Sequence, residues 1–191
     1  NVTLEDINFD FGAGVADAYS EGKRGINIFS ANDIWGRSNI IANSTGEGLG
    51  INNFDTGGVS RVYITQNTFV NCRQNCINPN VSDHAIISGN ILRDGVGGIE
   101  TDGRHVIINT NIFHNLTSWG VLVTGSPYTS IVDNIFRNVR TDGSGTRGII
   151  EINNTVDVTN DVIVSGNHAN NTASSDGQAF VNASSTGAAH N

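Results

Sequence analysis

Apolar and polar positions alternate in short segments that recur along the whole chain. Each segment has the order apolar, any, apolar, any, any, Asn, any, apolar, as in VYITQNTF from Val62, AIISGNIL from Ala85 and VIINTNIF from Val106. Alternation with a period of two is typical of β-strands that bury one face. Helical periodicity is absent, so the pattern predicts an all-β chain.

The spacing of these segments predicts a solenoid. Seven matches begin at positions 2, 34, 62, 85, 106, 129 and 162. Between positions 62 and 129 the steps are 23, 21 and 23 residues, about one turn of a three-sided β-solenoid, and the longer steps predict loops inserted at corners. We therefore predict a single-stranded right-handed parallel β-helix of about seven coils. A propeller would need four strands in each repeat of about 40 residues.

The asparagine in each match is predicted to stack on its counterparts at a corner of the coil. Asparagine tolerates the left-handed backbone conformation, and its amide can bond to the same amide above and below. The ladder comprises Asn39, Asn67, Asn90, Asn111, Asn134 and Asn167. An inward column is expected two residues later, at Phe9, Ile41, Phe69, Leu92, Phe113, Phe136 and Ala169. A second polar ladder is expected at Asn43, Asn71, Asp94, Asn115, Asn138 and Asn171.

A further strand is predicted in each coil after Gly or another small residue. The segments are GLGIN, NCINP, GGIET, WGVLV, RGIIE and QAFVN. We expect one domain over residues 1–191, forming part of a longer protein because the chain carries no Met. Residues 11–25 are predicted to form an inserted loop that walls a groove, caps the helix end or makes a surface excursion. Residues 171–191 are predicted to be a fading C-terminal coil, since the bulky inward residue is lost there.

The N-x-I/F-x-N pattern with its G-I strands resembles the pectate-lyase-like superfamily of right-handed parallel β-helices. Within that superfamily it is similar to the short repeats of carbohydrate-binding and sugar-hydrolysis domains, C5-epimerases and periplasmic copper-maturation proteins. The resemblance covers almost the whole chain and is specific for fold rather than for activity. It implies a protein that is secreted or held at the cell surface and acts on or binds a polysaccharide.

Catalytic strings known from this superfamily narrow the expected chemistry. The strings D-D, G-H-G and R-I-K of its glycoside hydrolases and D-P-H of its epimerases are absent. A glycoside hydrolase is therefore disfavoured. A lyase-like or epimerase-like enzyme could still use a lone Arg, Lys, His or Tyr as base, with Ca²⁺ as a possible cofactor that neutralises a uronate. The alternative is a non-catalytic glycan-binding or structural β-helix, such as an adhesin, a surface-layer component or a viral tailspike or fibre piece.

The densest group of candidate catalytic side chains lies in IETDGRH. It contains Glu100, Asp102, Arg104 and His105. A structural interpretation is also open, because Asp102-Gly103 suits a corner with positive φ and Arg104 can pair with a neighbouring acid. The similar turn TDGSG lacks Arg and His, which favours the structural interpretation.

Substrate-binding candidates are expected on the outward side of the further strands. Asn52, Asn78 and Glu100 are predicted to form one outward column, with Leu122 one coil on. Trp119 precedes such a strand, where its indole either stacks on a sugar or fills a corner of the core. Trp35 is predicted to point outward from its own strand.

Charge and composition limit the partners. The net charge of −8 disfavours nucleic acid, whose binding depends on cationic side chains, and no apolar run is long enough to predict a membrane span. The five His show no ligand spacing, so no metal centre is predicted. Cys72 and Cys76 are either a local disulfide or two buried thiols. The oligomeric state is expected to be a monomer or a homotrimer.

Overall fold

A computed structural model describes residues 1–12, 25–29, 31–52, 61–80, 83–139, 148–154, 161–170 and 180–185. Within these ranges the regular structure is entirely β, and no helix long and apolar enough to span a membrane is found there. The strands, numbered in chain order, are β1 Val2–Glu5, β2 Asn8–Asp10, β3 Ile26–Phe29, β4 Asp33–Arg37, β5 Ile40–Ala42, β6 Leu49–Asn52, β7 Arg61–Thr65, β8 Thr68–Val70, β9 Asn75–Pro79, β10 Ala85–Ser88, β11 Ile91–Arg93, β12 Gly97–Thr101, β13 Val106–Asn109, β14 Ile112–Leu116, β15 Val121–Thr124, β16 Thr129–Val132, β17 Ile135–Val139, β18 Ile150–Asn154, β19 Val162–Ser165, β20 His168–Asn170 and β21 Val181–Ser185.

Each strand from β1 to β18 pairs in parallel with the strand three places further along the chain. This produces three sheets of seven strands: sheet A from β1 to β19, sheet B from β2 to β20 and sheet C from β3 to β21. Three consecutive strands therefore form one coil, and the described residues contain seven coils. The predicted parallel β-helix is confirmed, and crossovers between parallel strands are right-handed in nearly all proteins.

The register of sheet A follows the predicted repeat without a slip. Ala85 pairs with Val62 on one side and with Val106 on the other. The remaining starts at positions 2, 34, 129 and 162 continue the same column. Longer coils therefore take up their extra residues at corners and leave the strands aligned.

Apolar side chains from all three sheets fill the interior. The expected inward column of sheet B is confirmed by the pairing of Phe69, Leu92 and Phe113. The phenyl rings of Phe113 and Phe136 stack with their centroids 4.6 Å apart, and both residues are fully buried. Ala169 ends this column and is exposed.

The buried corner asparagines form the predicted hydrogen-bonded ladder. The Asn90 side-chain oxygen accepts hydrogen bonds from the backbone and side-chain nitrogens of Asn67, at 2.9 and 3.0 Å. The Asn90 amide nitrogen donates to the Ile64 carbonyl and to the Asn111 side-chain oxygen, each at 2.9 Å. Bonds of the same kind connect the ladder from Asn39 to Asn167.

Of the two reasons given for asparagine at this corner, the tolerance of the left-handed conformation was wrong, whereas the bonding of amide to amide is confirmed. The left-handed residue comes one position earlier, as at Gln66 and Thr110. Positive φ does occur in the second, more exposed ladder, for example at Asn71 and Asn115. The buried ladder therefore uses asparagine for its amide hydrogen bonds, and the second ladder uses asparagine or aspartate for backbone conformation.

The state of the two cysteines is resolved, whereas the predicted segments 11–25 and 171–191 are described only in part. Cys72 and Cys76 are free and buried in the core, and burial raises the pKa of the Cys76 thiol well above its ordinary value. Most of the inserted loop 11–25 lies outside the described residues. Most of the fading coil 171–191 does as well, but β21 is present and pairs with β18.

Candidate functional site

The outward side of sheet A carries a continuous strip of aromatic, imidazole and aliphatic side chains, called the aromatic face below. One column lies at the first residue of β4 and β7 and directly before the later strands of the sheet. It includes Asp33, Arg61, His84, His105, Tyr128 and Asp161. A second column lies on the strands themselves and includes Thr3, Trp35, Tyr63, Ile86, Ile107, Ser130 and Ile163.

The parallel register stacks the rings of this face upon one another. The Trp35 and Tyr63 rings have centroids 4.0 Å apart with an interplanar angle of 11°. In the neighbouring column the His84 and His105 centroids are 4.8 Å apart, and those of His105 and Tyr128 are 5.0 Å apart. These separations are close to the spacing of neighbouring strands, about 4.8 Å, so the backbone sets the distance between the rings.

The aromatic face contains a cleft of about 460 Å³. It is lined by Arg61, Tyr63, His84, Ile86, His105, Ile107 and Tyr128. A second hollow of about 420 Å³ lies beside Trp35 and shares Tyr63 with the first. Trp35 is 48% exposed and Tyr128 52% exposed. Large apolar surfaces that remain open to solvent are characteristic of binding sites.

Ion pairs hold the arginines at the edges of this face. Arg61 donates to the two Asp33 carboxylate oxygens at 2.5 and 3.1 Å. Arg37, at the other end of β4, donates one hydrogen bond to Glu5 on β1. The hydrogen bond from Arg61 to Asp33, reinforced by the charge of Asp33, raises the pKa of the Arg61 guanidinium. Both guanidinium groups therefore remain charged and oriented along the face.

The structure brings together two histidines although the five His show no ligand spacing in the sequence. His84 and His105 are one coil apart and meet beside the Asp83 carboxylate. The Nδ1 atoms of His84 and His105 lie 3.7 and 3.8 Å from the carboxylate oxygens of Asp83. The His105 Nδ1 is also 3.2 Å from the Asp83 backbone oxygen.

The sequence contained the signal that would have found this cluster. Arg61, His84, His105 and Tyr128 each lie one residue before a predicted strand start, so their spacing equals the coil repeat. The inward and corner columns of the repeat were predicted, whereas this outward column was not. A ligand pair in a solenoid is separated by a whole coil, so it shows no short motif.

A second candidate site lies on the outward side of sheet C and includes three of the predicted site residues, Asn78, Glu100 and Trp119. Asn78, Glu100 and Leu122 occupy one outward column, as predicted, and Glu151 continues it. Asn52 lies elsewhere. The register pairs Asn78 with Gly50, so Asn52 is two positions further along its strand.

Hydrogen bonds link the polar groups around this column in two separate sets. The Trp119 indole nitrogen donates to the Asn75 side-chain oxygen at 3.2 Å, and the Asn75 amide donates to Glu100. Trp119 and Asn75 meet over Gly97, where a Cβ atom would lie 3.1 Å from the indole nitrogen. The Asn78 amide donates to Glu47 at 2.6 Å. Trp119 thus lies against the first of these sets and neither fills the core nor stands fully exposed.

The electrostatic environment of Glu100 favours its protonated form. Burial raises the pKa of the Glu100 carboxyl, the Asn75 hydrogen bond lowers it, and the charges of Glu47 and Asp102 raise it further. Such a carboxyl could act as a general acid or base. The charges acting on it are those of other carboxyls.

The predicted group in IETDGRH is divided between two sheets. Glu100 lies on β12 in sheet C, whereas His105 precedes β13 and belongs to the aromatic face. Asp102 and Arg104 are exposed in the connecting corner. The positive φ expected at Asp102-Gly103 occurs instead at His105, so that expectation was wrong.

Comparison with known proteins adds no relative. No family model, curated protein or solved structure matches the chain.

Proposed function

We propose that this protein is a non-catalytic β-helix that binds an extended glycan along its aromatic face. The stacked, exposed Trp35 and Tyr63 rings beside the cleft are the observation that carries this proposal. Each of these two rings covers one face of the other. The face that remains open can attract the polarised C–H groups on the flat side of a sugar ring, because the face of an aromatic ring is negative. Arg61 and the two histidines at the rim supply donors and acceptors that can orient sugar hydroxyls.

The proposal includes membership of the pectate-lyase-like superfamily and a location outside the cell. The seven-coil parallel β-helix and its asparagine ladder support the first part. The second part follows from the ligand, because extended polysaccharides are met on or outside the cell surface. The protein is expected to act as a monomer or a homotrimer.

A lyase-like or epimerase-like enzyme is the second candidate function, and the raised pKa of Glu100 favours it. Proton abstraction beside a sugar carboxylate requires a base with a suitable pKa and a positive group that neutralises the uronate. Around Glu100 the interacting charges are those of Glu47 and Asp102, which repel a uronate unless a cation such as Ca²⁺ intervenes. Binding without catalysis therefore agrees better with the electrostatics.

The test is a glycan array followed by titration of the best ligand with Trp35→Ala. We expect about a fivefold loss of affinity, since the stacking contribution of one aromatic ring is about 1 kcal/mol. Ile91→Ala is the matched control, because Ile91 is an exposed apolar residue of sheet B. Equal affinity of Trp35→Ala and the intact protein for every glycan bound would overturn the proposal.

The same preparations distinguish the enzymatic alternative. Release of unsaturated or epimerised sugar products by the intact protein, abolished in Glu100→Gln with folding retained, would support the lyase or epimerase. Product release unchanged in Glu100→Gln would exclude Glu100 as its base.

A further inference from the structure

We propose that Asp83, His84 and His105 form a surface binding site for a divalent transition-metal ion at the rim of the cleft. The site is assembled by the solenoid. Asp83 and His84 lie before β10, and His105 lies before β13 in the next coil. The parallel register of these two strands fixes the two imidazoles at neighbouring levels.

The separations of the donor atoms suit a single ion. One ligand atom from each of the three residues lies within 4.8 Å of the other two. Metal–ligand bonds of about 2.0–2.2 Å to imidazole and carboxylate hold two donors at most about 4.4 Å apart. The Nδ1 atom of His84 lies 3.7 Å from the Asp83 carboxylate, a distance that already falls within that limit. Small rotations of exposed side chains are sufficient for the rest.

The orientation of His105 agrees with a metal-binding imidazole. Its Nδ1 lies 3.2 Å from the Asp83 backbone oxygen. When Nδ1 carries the proton, it donates to that carbonyl and leaves Nε2 as the metal donor, a common arrangement among metal-binding histidines. Stacking between Tyr128 and His84 holds the ring from both sides.

The donor set indicates which ions bind. Two imidazoles and one carboxylate suit Zn²⁺, Cu²⁺ and Ni²⁺, whereas Ca²⁺ and Mg²⁺ prefer a shell of oxygen ligands. Three protein donors leave at least one coordination position open. Because His84 and His105 both line the cleft, a molecule bound there could reach that open position.

The test is isothermal titration of the metal-free protein with Zn²⁺, Ni²⁺ and Cu²⁺, without any glycan. We expect one ion per chain, unaffected by excess Ca²⁺ or Mg²⁺, and a rise in the melting temperature with Zn²⁺. His84→Ala and His105→Ala should each weaken binding at least tenfold, and Asp83→Asn should weaken it as well. The three side chains are exposed, so we expect all three variants to fold.

His114→Ala and His168→Ala are the matched controls, because these histidines lie on β14 and β20 of sheet B. They should bind zinc as the intact protein does. The proposal would be overturned if the intact protein did not bind zinc. It would also be overturned if His84→Ala and His105→Ala bound zinc as tightly as the intact protein. This result does not depend on glycan binding, so the two proposals can fail separately.

Discussion

At the scale of single residues, each buried corner asparagine satisfies polar groups from several coils at once. Asn90 accepts from Asn67 and donates to Ile64 and Asn111. Its environment is fully buried, so none of these groups has ready access to water. The amide therefore replaces hydrogen bonds that the backbone cannot make at a corner.

Asn90→Ala should lower the free energy of unfolding by about 3 kcal/mol, because it leaves several buried donors and acceptors without partners. Urea denaturation measures the change. Asn115→Gly is the control: it keeps the positive φ of the second ladder and removes a more exposed amide, so the expected loss is below about 1 kcal/mol. Equal losses in the two variants would contradict the division of roles between the ladders.

The inward and corner residues could be predicted because burial restricts them. Val62, Phe69 and Asn90 each repeat in kind from coil to coil, since a misfit there disturbs the neighbouring coils. Outward residues are free to vary, so the column containing His84 and Tyr128 mixes charges and rings and has no common residue type. Asn52 was misassigned because GLGIN fits the strand pattern equally well when shifted by two residues.

At the scale of strands, the small residues before sheet C allow close packing on the phenylalanines of sheet B. A Cβ atom at Gly98 would lie 2.7 Å from the Phe113 ring and would also clash with the Gly120 carbonyl. Gly120 has the same relation to Phe136, at 2.5 Å. Glycine is needed here for space, which explains the glycine of the G-I pattern in the coils of β12 and β15.

Gly98→Ala should therefore destabilise the protein by about 2 kcal/mol or more through overpacking. Gly36→Ala is the matched control on β4, since the nearest atom to its added Cβ would be the Tyr63 carbonyl oxygen at 4.0 Å. There we expect no loss, or a gain of about 0.5 kcal/mol from the stiffer unfolded chain. Thermal unfolding followed by circular dichroism compares the two, and similar melting temperatures would refute the packing argument.

The strands and the asparagine corner were predictable, whereas the corner between sheets C and A was not, for a physical reason. Strand positions alternate between core and solvent, which leaves a regular trace in the sequence. The exposed residues of the corner between Thr101 and Val106 have to satisfy only local backbone geometry, and many residue types do so. His105 illustrates this, because it takes the positive φ that Asp102-Gly103 was expected to adopt.

At the scale of the whole molecule, the local stability of a coil depends on its position along the helix axis. Each coil contacts only its neighbours, so terminal coils have fewer partners than central ones. The burial pattern follows this arrangement: β13 buries every second residue fully, whereas β1 and β19 bury theirs only in part.

Hydrogen exchange should therefore be slowest in the central coils, from β7 to β17, and faster in β1, β2, β19 and β20. Peptide-resolved mass spectrometry measures the gradient. A Gly98→Ala preparation provides an internal comparison, because the added strain should speed exchange most in the coils around β12. Uniform protection along the chain would show that the solenoid opens as one unit.

The constant register of sheet A places its outward side chains at regular intervals along the helix axis. Each outward side chain belongs to its own strand, about 4.8 Å from the next strand. Replacing that side chain leaves the position of the backbone unchanged. Replacing Ile86 or Ile107 with histidine or an aromatic residue would extend a row of metal ligands or aromatic rings by one strand spacing for each substitution. The binding specificity of this face can therefore be changed by single substitutions that leave the β-helix fold intact.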